Sequence, residues 1–165
     1  MYEYLLCSQK DKEAGLKKLH DSMNGISKLW AKMNNLLSDV SDPALFLRAF
    51  TPGFQEYIEA LCFLRLVETS DLPTCGEILE KTKFEFENAG PTLFAEIILG
   101  IADIAGEVMR FATNMVSKGI QDYNEPAKNF LQQMYLLFFK IAPDVNKEVN
   151  KKIWALRGSM IKVIF

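Results

Sequence analysis

Apolar residues recur at three- and four-residue steps along most of the chain, and no stretch alternates as a half-buried strand would. Residues 2 to about 37 place Leu5, Leu16, Leu19, Met23, Ile26, Leu29, Trp30, Met33 and Leu37 in that spacing, which predicts a long first helix. Gly15 and Gly25 lie inside it and mark a potential kink or break. Residues 38–43 read as a stop. Asp42-Pro43 then supplies an N-cap and a first-turn proline for a helix to about residue 69. Pro52-Gly53 is a potential breaker, which would leave 43–50 as a separate short helix. Residues 61–67 are apolar on nearly all sides except at Arg65, which predicts burial between several partners. Residues 70–73 form a turn. Thr74-Cys-Gly-Glu77 has the pattern of a capping box opening a short helix to about residue 81.

Residues 84–90 read as a polar connection. Pro91-Thr92 begins a helix to about residue 118, with Gly119 as its stop. Asn124-Glu125-Pro126 opens another to about 141, and Pro143-Asp144 opens the last, to near 165. There is no repeat and no low-complexity tract. The predicted architecture is a single all-α domain over residues 1–165, a helical bundle of about six helices.

Composition narrows the chemistry. A chain of 165 residues can bury a substantial core, and 49% hydrophobic with 24% charged residues is ordinary for a globular protein. The formal net charge of -2 gives no overall basic field to recruit nucleic acid. Cys7, Cys62 and Cys75 form no CxxC pair, which argues against a disulfide framework or zinc ribbon and fits a reducing compartment. His20 is the only histidine, so multi-histidine zinc sites are excluded and Ser-His-Asp or Cys-His catalysis is disfavoured. No uninterrupted apolar run is long enough for a transmembrane span. The first residues lack a signal-peptide pattern and read as an entry into the middle of a helix.

Two segments stand apart. Glu56 and Glu59 are three residues apart, and Asp103 and Glu107 four, so each pair shares one side of a largely apolar helix. Glu56 also aligns with Ala60, Phe63 and Val67, so its face is not expected to be an ordinary wet one. Either these are solvent-facing acids of amphipathic helices, or they are hard oxygen ligands suited to Mg2+ or Mn2+. Facing acids would repel one another, and a divalent cation would relieve the repulsion and polarise a phosphate. A di-iron site of the ferritin type needs two Glu-x-x-His motifs and is disfavoured. Glu96, Arg110 and Asn114 continue the Asp103–Glu107 sector. Arg110 suits either a salt bridge to Asp103 or Glu107, or contact with a phosphate beside the metal. Lys147, Lys151, Lys152 and Arg157 give the last helix a basic face, either solvated or set against a nucleic-acid backbone. Tyr57 and Phe63 suit the core, with base stacking as a weaker role. The Phe- and Met-rich span 129–139 suits core or a subunit interface.

Ala49-Phe-Thr-Pro-Gly-Phe-Gln-Glu-Tyr-Ile-Glu-Ala60 and Leu99-Gly-Ile-Ala-Asp-Ile-Ala-Gly-Glu-Val-Met-Arg110 resemble the translin family, and within it the Trax-type branch. Asn114-Met-Val-Ser-Lys-Gly119 fits as well, and Tyr2-Glu-Tyr-Leu-Leu-Cys-Ser8 is similar to the later part of that family's long first helix. The expectation is that the first half of that helix, with any targeting signal in it, is missing, and that the region before Phe84 is short. The resemblance implies an all-α fold and assembly with translin subunits into a hollow hetero-octamer, in cytoplasm or nucleus. It implies a Mg2+-dependent endoribonuclease, with Mn2+ able to substitute. Single-stranded RNA is the implied substrate, including passenger strands in RNA silencing and tRNA fragments; single-stranded DNA is a further ligand. The catalytic and metal-binding carboxylates it implies fall on Glu56, Glu59, Asp103 and Glu107, with Arg110 and Asn114 as RNA contacts. The alternatives are a non-catalytic scaffold or RNA-binding subunit of the same oligomer, and a helical adaptor whose acids are wet surface.

Overall fold

The computed structural model describes residues 9–38, 46–82, 90–141 and 147–164. These residues form six helices in chain order: α1 (Gln9–Ser38), α2 (Leu47–Thr69), α3 (Cys75–Thr82), α4 (Gly90–Ser117), α5 (Asn124–Ile141) and α6 (Lys147–Ile164). There is no strand among the described residues. The start of the first helix, Asp42-Pro43, residues 84–89 of the predicted connection and Pro143-Asp144 lie outside the described residues; Gly90, predicted to end that connection, is the first residue of α4. The backbone divides into two compact units, Met1–Gly90 and Pro91–Phe165.

In the first unit α1 and α2 run antiparallel. His20 meets Glu68, Ser27 meets Tyr57, and Trp30 meets Phe50 and Phe54. Gly15 and Gly25 interrupt nothing, because α1 passes through both. Its buried line is Met23 and Trp30, whereas Leu29 and Leu36 stay exposed. Pro52 does not break α2; it sits inside the helix. The missing N–H and the ring clash cost about 3 kcal/mol. Phe50 and Phe54 flank the proline, are buried, and pack on Trp30. Each such side chain contributes about 1.5–3 kcal/mol on burial, so together they offset the proline. Residues 61–67 are only partly buried: Leu61, Cys62 and Leu64 are inside, while Phe63, Arg65, Leu66 and Val67 lie at the margin. Ser70, in the left-handed region at φ 60°, ends α2 and donates its N–H to Leu66 O at 2.9 Å.

The capping box opens α3 as its sequence predicts. Thr74 N–H donates to Glu77 Oε2 at 2.7 Å, and Glu77 N–H donates to Thr74 Oγ1 at 3.2 Å. These reciprocal bonds satisfy two helix-end donors. The far end of α3 is tied to α1, where Trp30 Nε1 and Asn34 Nδ2 both donate to the Thr82 carbonyl, at 2.8 and 2.9 Å.

In the second unit α4 buries Ile97, Ile98, Ile104, Ala105, Val108, Ala112 and Met115. Gly119, at φ +79°, stops it. The N–H groups of Gly119 and Ile120 donate to the carbonyls of Val116 and Met115, a Schellman closure that needs a residue without Cβ strain in the left-handed region. Phe111 on α4 meets Tyr123 edge to face at 5.1 Å. Helix α5 buries Leu131, Met134 and Phe138, and α6, packed on α5, buries Val149, Leu156 and Val163. The other side of α5 leaves Leu136, Leu137 and Phe139 exposed, so this helix is both core and apolar surface. No described helix is long and apolar enough to cross a membrane.

Candidate metal and phosphate site

The acids of α2 owe their positions to the aromatic face opposite them. Phe54, Tyr57, Ile58, Leu61 and Cys62 are buried. Tyr57 stacks on Trp30 at 5.4 Å and its hydroxyl lies 3.0 Å from Ser27 Oγ, so Tyr57 is a structural residue and no stacking platform for a base. With that face inward, a helix at 100° per residue turns Glu56 to solvent and leaves Glu59 at the margin. Glu56 is therefore wetter than its alignment with Ala60, Phe63 and Val67 suggests; those three are half-buried. Glu59 lies close enough to Cys62 for its charge to act on the thiol. Burial first, then Cys75 and Glu59, push the Cys62 thiol up to about 12, so it is neutral and no thiolate ligand at physiological pH.

The acids of α4 sit where its apolar stripe gives way. Glu96, Asp103 and Glu107 are half-buried, and Arg110 and Asn114 exposed. Each of the two key carboxylates meets a cation. Arg110 Nη1 bonds Glu107 Oε1 at 2.8 Å, one turn along the same helix. Asp103 takes its cation from α6, where Lys152 Nζ donates to Asp103 Oδ1. The basic face predicted for the last helix is thus not a single surface. Lys152 turns inward to Asp103, Lys151 pairs with Glu148 at 2.6 Å, and Arg157 lies 5.6 Å from the Trp154 ring centre. Asn114 gives its backbone carbonyl to the Ser117 hydroxyl at 2.8 Å. Sequence spacing contains the Arg110–Glu107 pair but gives no sign of Lys152–Asp103, whose members are 49 residues apart. The His20–Glu68 contact at 2.6 Å escapes it for the same reason.

Glu56 and Glu59 belong to the first unit, Asp103 and Glu107 to the second. Among the described residues no three or more His, Cys, Asp or Glu side chains gather as a metal cage; helical spacing leaves one pair of acids on α2 and one on α4. That donor set suits Mg2+, a hard cation that keeps several waters and takes one or two carboxylates. It does not suit zinc, because His20 is engaged by Glu68 and Cys62 is protonated. Lys152 and Arg110 mark Asp103 and Glu107 as positions where positive charge is already accommodated.

The translin family's sequence profile matches residues 4–163. Translin-associated protein X of Mus musculus is 31% identical over 178 aligned residues, covering 96% of this chain and 61% of the relative. The Rattus norvegicus protein of that name is 29% identical over the same shares. A Schizosaccharomyces pombe homolog is 27% identical, covering 89% of this chain and 58% of its own. The chain thus spans about three-fifths of the length of these relatives. Among solved structures, one titled "Crystal structure of apo-NeC3PO" superposes with a TM-score of 0.62 at 20% identity, over 94% of this chain and 91% of that one. At that identity the likeness establishes the shared all-α fold.

Proposed function

The chain belongs to the translin family, and from that premise we propose that it is a Trax-type catalytic subunit which, assembled with translin, cleaves single-stranded RNA in a Mg2+-dependent reaction. The observation that carries this reading is the acidic set. All four expected carboxylates are present, each on the less buried side of a helix whose other side is core, and two already neutralise cations. Glu56, Glu59, Asp103 and Glu107 would hold the metal, whose chemistry is to polarise the scissile phosphate and lower the pKa of a bound water. The chain's own groups position the substrate. The exposed Arg110 has a fork of donors, one of them on Glu107, and the others match phosphate oxygens. Asn114, one turn further and also exposed, offers a neutral donor and acceptor to sugar or base. With a net charge of -2, much of the RNA affinity would come from basic partner subunits.

The test is cleavage of a fluorescent single-stranded RNA by the chain purified with a translin partner, with Mg2+ and with EDTA. Glu107→Gln and Asp103→Asn should each lower cleavage about 100-fold or more while assembly and helicity persist. Undiminished Mg2+-dependent cleavage by either variant overturns the catalytic role. A second reading, a non-catalytic RNA-binding subunit of the same oligomer, draws on the cations already seated on Asp103 and Glu107. It predicts RNA binding that EDTA leaves unchanged and no cleavage that these variants affect.

A further inference from the structure

Lys152 is out of place for a surface lysine. It falls three residues after Val149 and four before Leu156, both fully buried, so it belongs to the stripe by which α6 packs. Of the described α6 cations it is the one held half-buried; Lys147, Lys151, Arg157 and Lys162 are exposed. A lysine at such a place is tolerated when an acid compensates it, and its ammonium sits on Asp103. On α4 itself Arg110 pairs with Glu107, whereas the cation on Asp103 comes from α6.

We propose that Lys152 is the resident counter-cation of Asp103: its ammonium occupies this carboxylate when no metal is bound and must yield it to a divalent ion, so Lys152 sets the metal affinity of the acidic pair on α4. This rests on the reading of Asp103 as a metal ligand. One carboxylate oxygen cannot serve the ammonium and an inner-sphere cation equally, because the two positive charges repel at hydrogen-bond distance. Lys152 is a positioning residue, acting through Asp103. On a flexible four-carbon stem it can swing aside without moving α6, since Val149, Leu156 and Val163 hold the helix.

The experiment measures Mn2+ binding to the full chain by calorimetry and by the electron paramagnetic resonance signal of free Mn2+. Lys152→Met keeps the stem and removes the charge, and should tighten Mn2+ binding about 5- to 10-fold. Lys152→Arg keeps the charge and should leave affinity near wild type. Lys151→Met removes the same charge from an exposed neighbour paired with Glu148, and should change affinity less than about two-fold. In an Asp103→Asn background, Lys152→Met should have no effect, because the coupling runs through that acid. If Asp103→Asn weakens Mn2+ binding but Lys152→Met does not tighten it, Lys152 is only a structural pin and the proposal is overturned. An equal effect of Lys151→Met would overturn it too, by revealing general charge in place of a specific competitor. If wild type and Asp103→Asn bind Mn2+ identically, the metal-ligand reading fails instead. Circular dichroism melts of each variant accompany the titrations, and Lys152→Gln replaces the methionine variant should that one unfold.

Discussion

Trp30 is the residue on which the first unit turns, and its replacement gives a sharp energetic test. Its ring stacks on Phe54 at 5.2 Å and on Tyr57 at 5.4 Å, and is tilted against Phe50 at 6.3 Å. Its indole N–H donates to the Thr82 carbonyl at 2.8 Å. Trp30→Ala removes both contributions and leaves a cavity, a change that costs about 3–5 kcal/mol in a packed core. Trp30→Phe keeps an aromatic face and loses one hydrogen bond, worth about 0.5–1.5 kcal/mol net. The Thr82 carbonyl is not orphaned, because Asn34 Nδ2 still donates to it at 2.9 Å. Trp30→Phe should therefore cost about 1–2 kcal/mol, well below the alanine variant. Adding Asn34→Ala to Trp30→Phe leaves that buried carbonyl without either donor, so the double variant should lose about 1–3 kcal/mol more than the single losses sum to. Against a typical domain stability of about 5–15 kcal/mol these are large, separable effects. Urea unfolding followed by far-UV circular dichroism reads them, at unchanged slope with denaturant. Equal costs for Trp30→Phe and Trp30→Ala would refute the view that stacking dominates. An alanine variant within about 1 kcal/mol of wild type would refute the view that Trp30 pins α1 to α2 at all.

Other consequences follow from the same contacts. The backbone N–H of Thr74, more than its hydroxyl, holds the Glu77 carboxyl below its usual value of 4.5. The box's contribution to α3 is therefore present above that ordinary value and lost as pH falls through the depressed one. Protection of the Glu77 and Ile78 amides, measured relative to their intrinsic exchange rate at each pH, should fall on acidification and in Thr74→Ala, and unchanged protection in both would contradict the capping role. In a Cys7→Ser background, native protein should expose one thiol to an aromatic disulfide reagent at pH 8, that of Cys75, and release Cys62 only on unfolding. Rapid native labelling of Cys62 would mean that α2 is not packed as described. Because the Cys62 thiol is pushed up to about 12, the stability it contributes is complete below the ordinary thiol value and falls as pH rises toward 12. A Cys62→Ala variant should flatten that alkaline limb of the stability curve.

The parts of this molecule that local chemistry decides could be read from the residues. The capping box at Thr74 and the glycine stop at Gly119 work through neighbours within six residues, and both close as the pattern demands. Pro52 reads as a breaker because its penalty is local, while the compensation, Phe50 and Phe54 packed on Trp30, involves another helix. The α4 sector from Glu96 to Asn114 emerges as the less buried side, since helical periodicity alone fixes it. What periodicity cannot fix is which cation meets which acid. The four residues of the predicted basic face of the last helix, Lys147, Lys151, Lys152 and Arg157, look equivalent by spacing, yet Lys152 turns inward to Asp103 while Lys151 stays with Glu148. That choice depends on the rotation of α6 against α4, which no short stretch of sequence encodes.

The proposed metal-binding role of Glu56 and Glu59 on α2, and of Asp103 and Glu107 on α4, has one decisive measurement. Anomalous scattering from a Mn2+-soaked crystal of the chain decides it. A manganese peak is expected at inner-sphere distance from carboxylate oxygens of this set, with the Lys152 ammonium displaced from Asp103. Carboxylates left solvated or still cation-paired at saturating Mn2+, with no peak beside them, would contradict it.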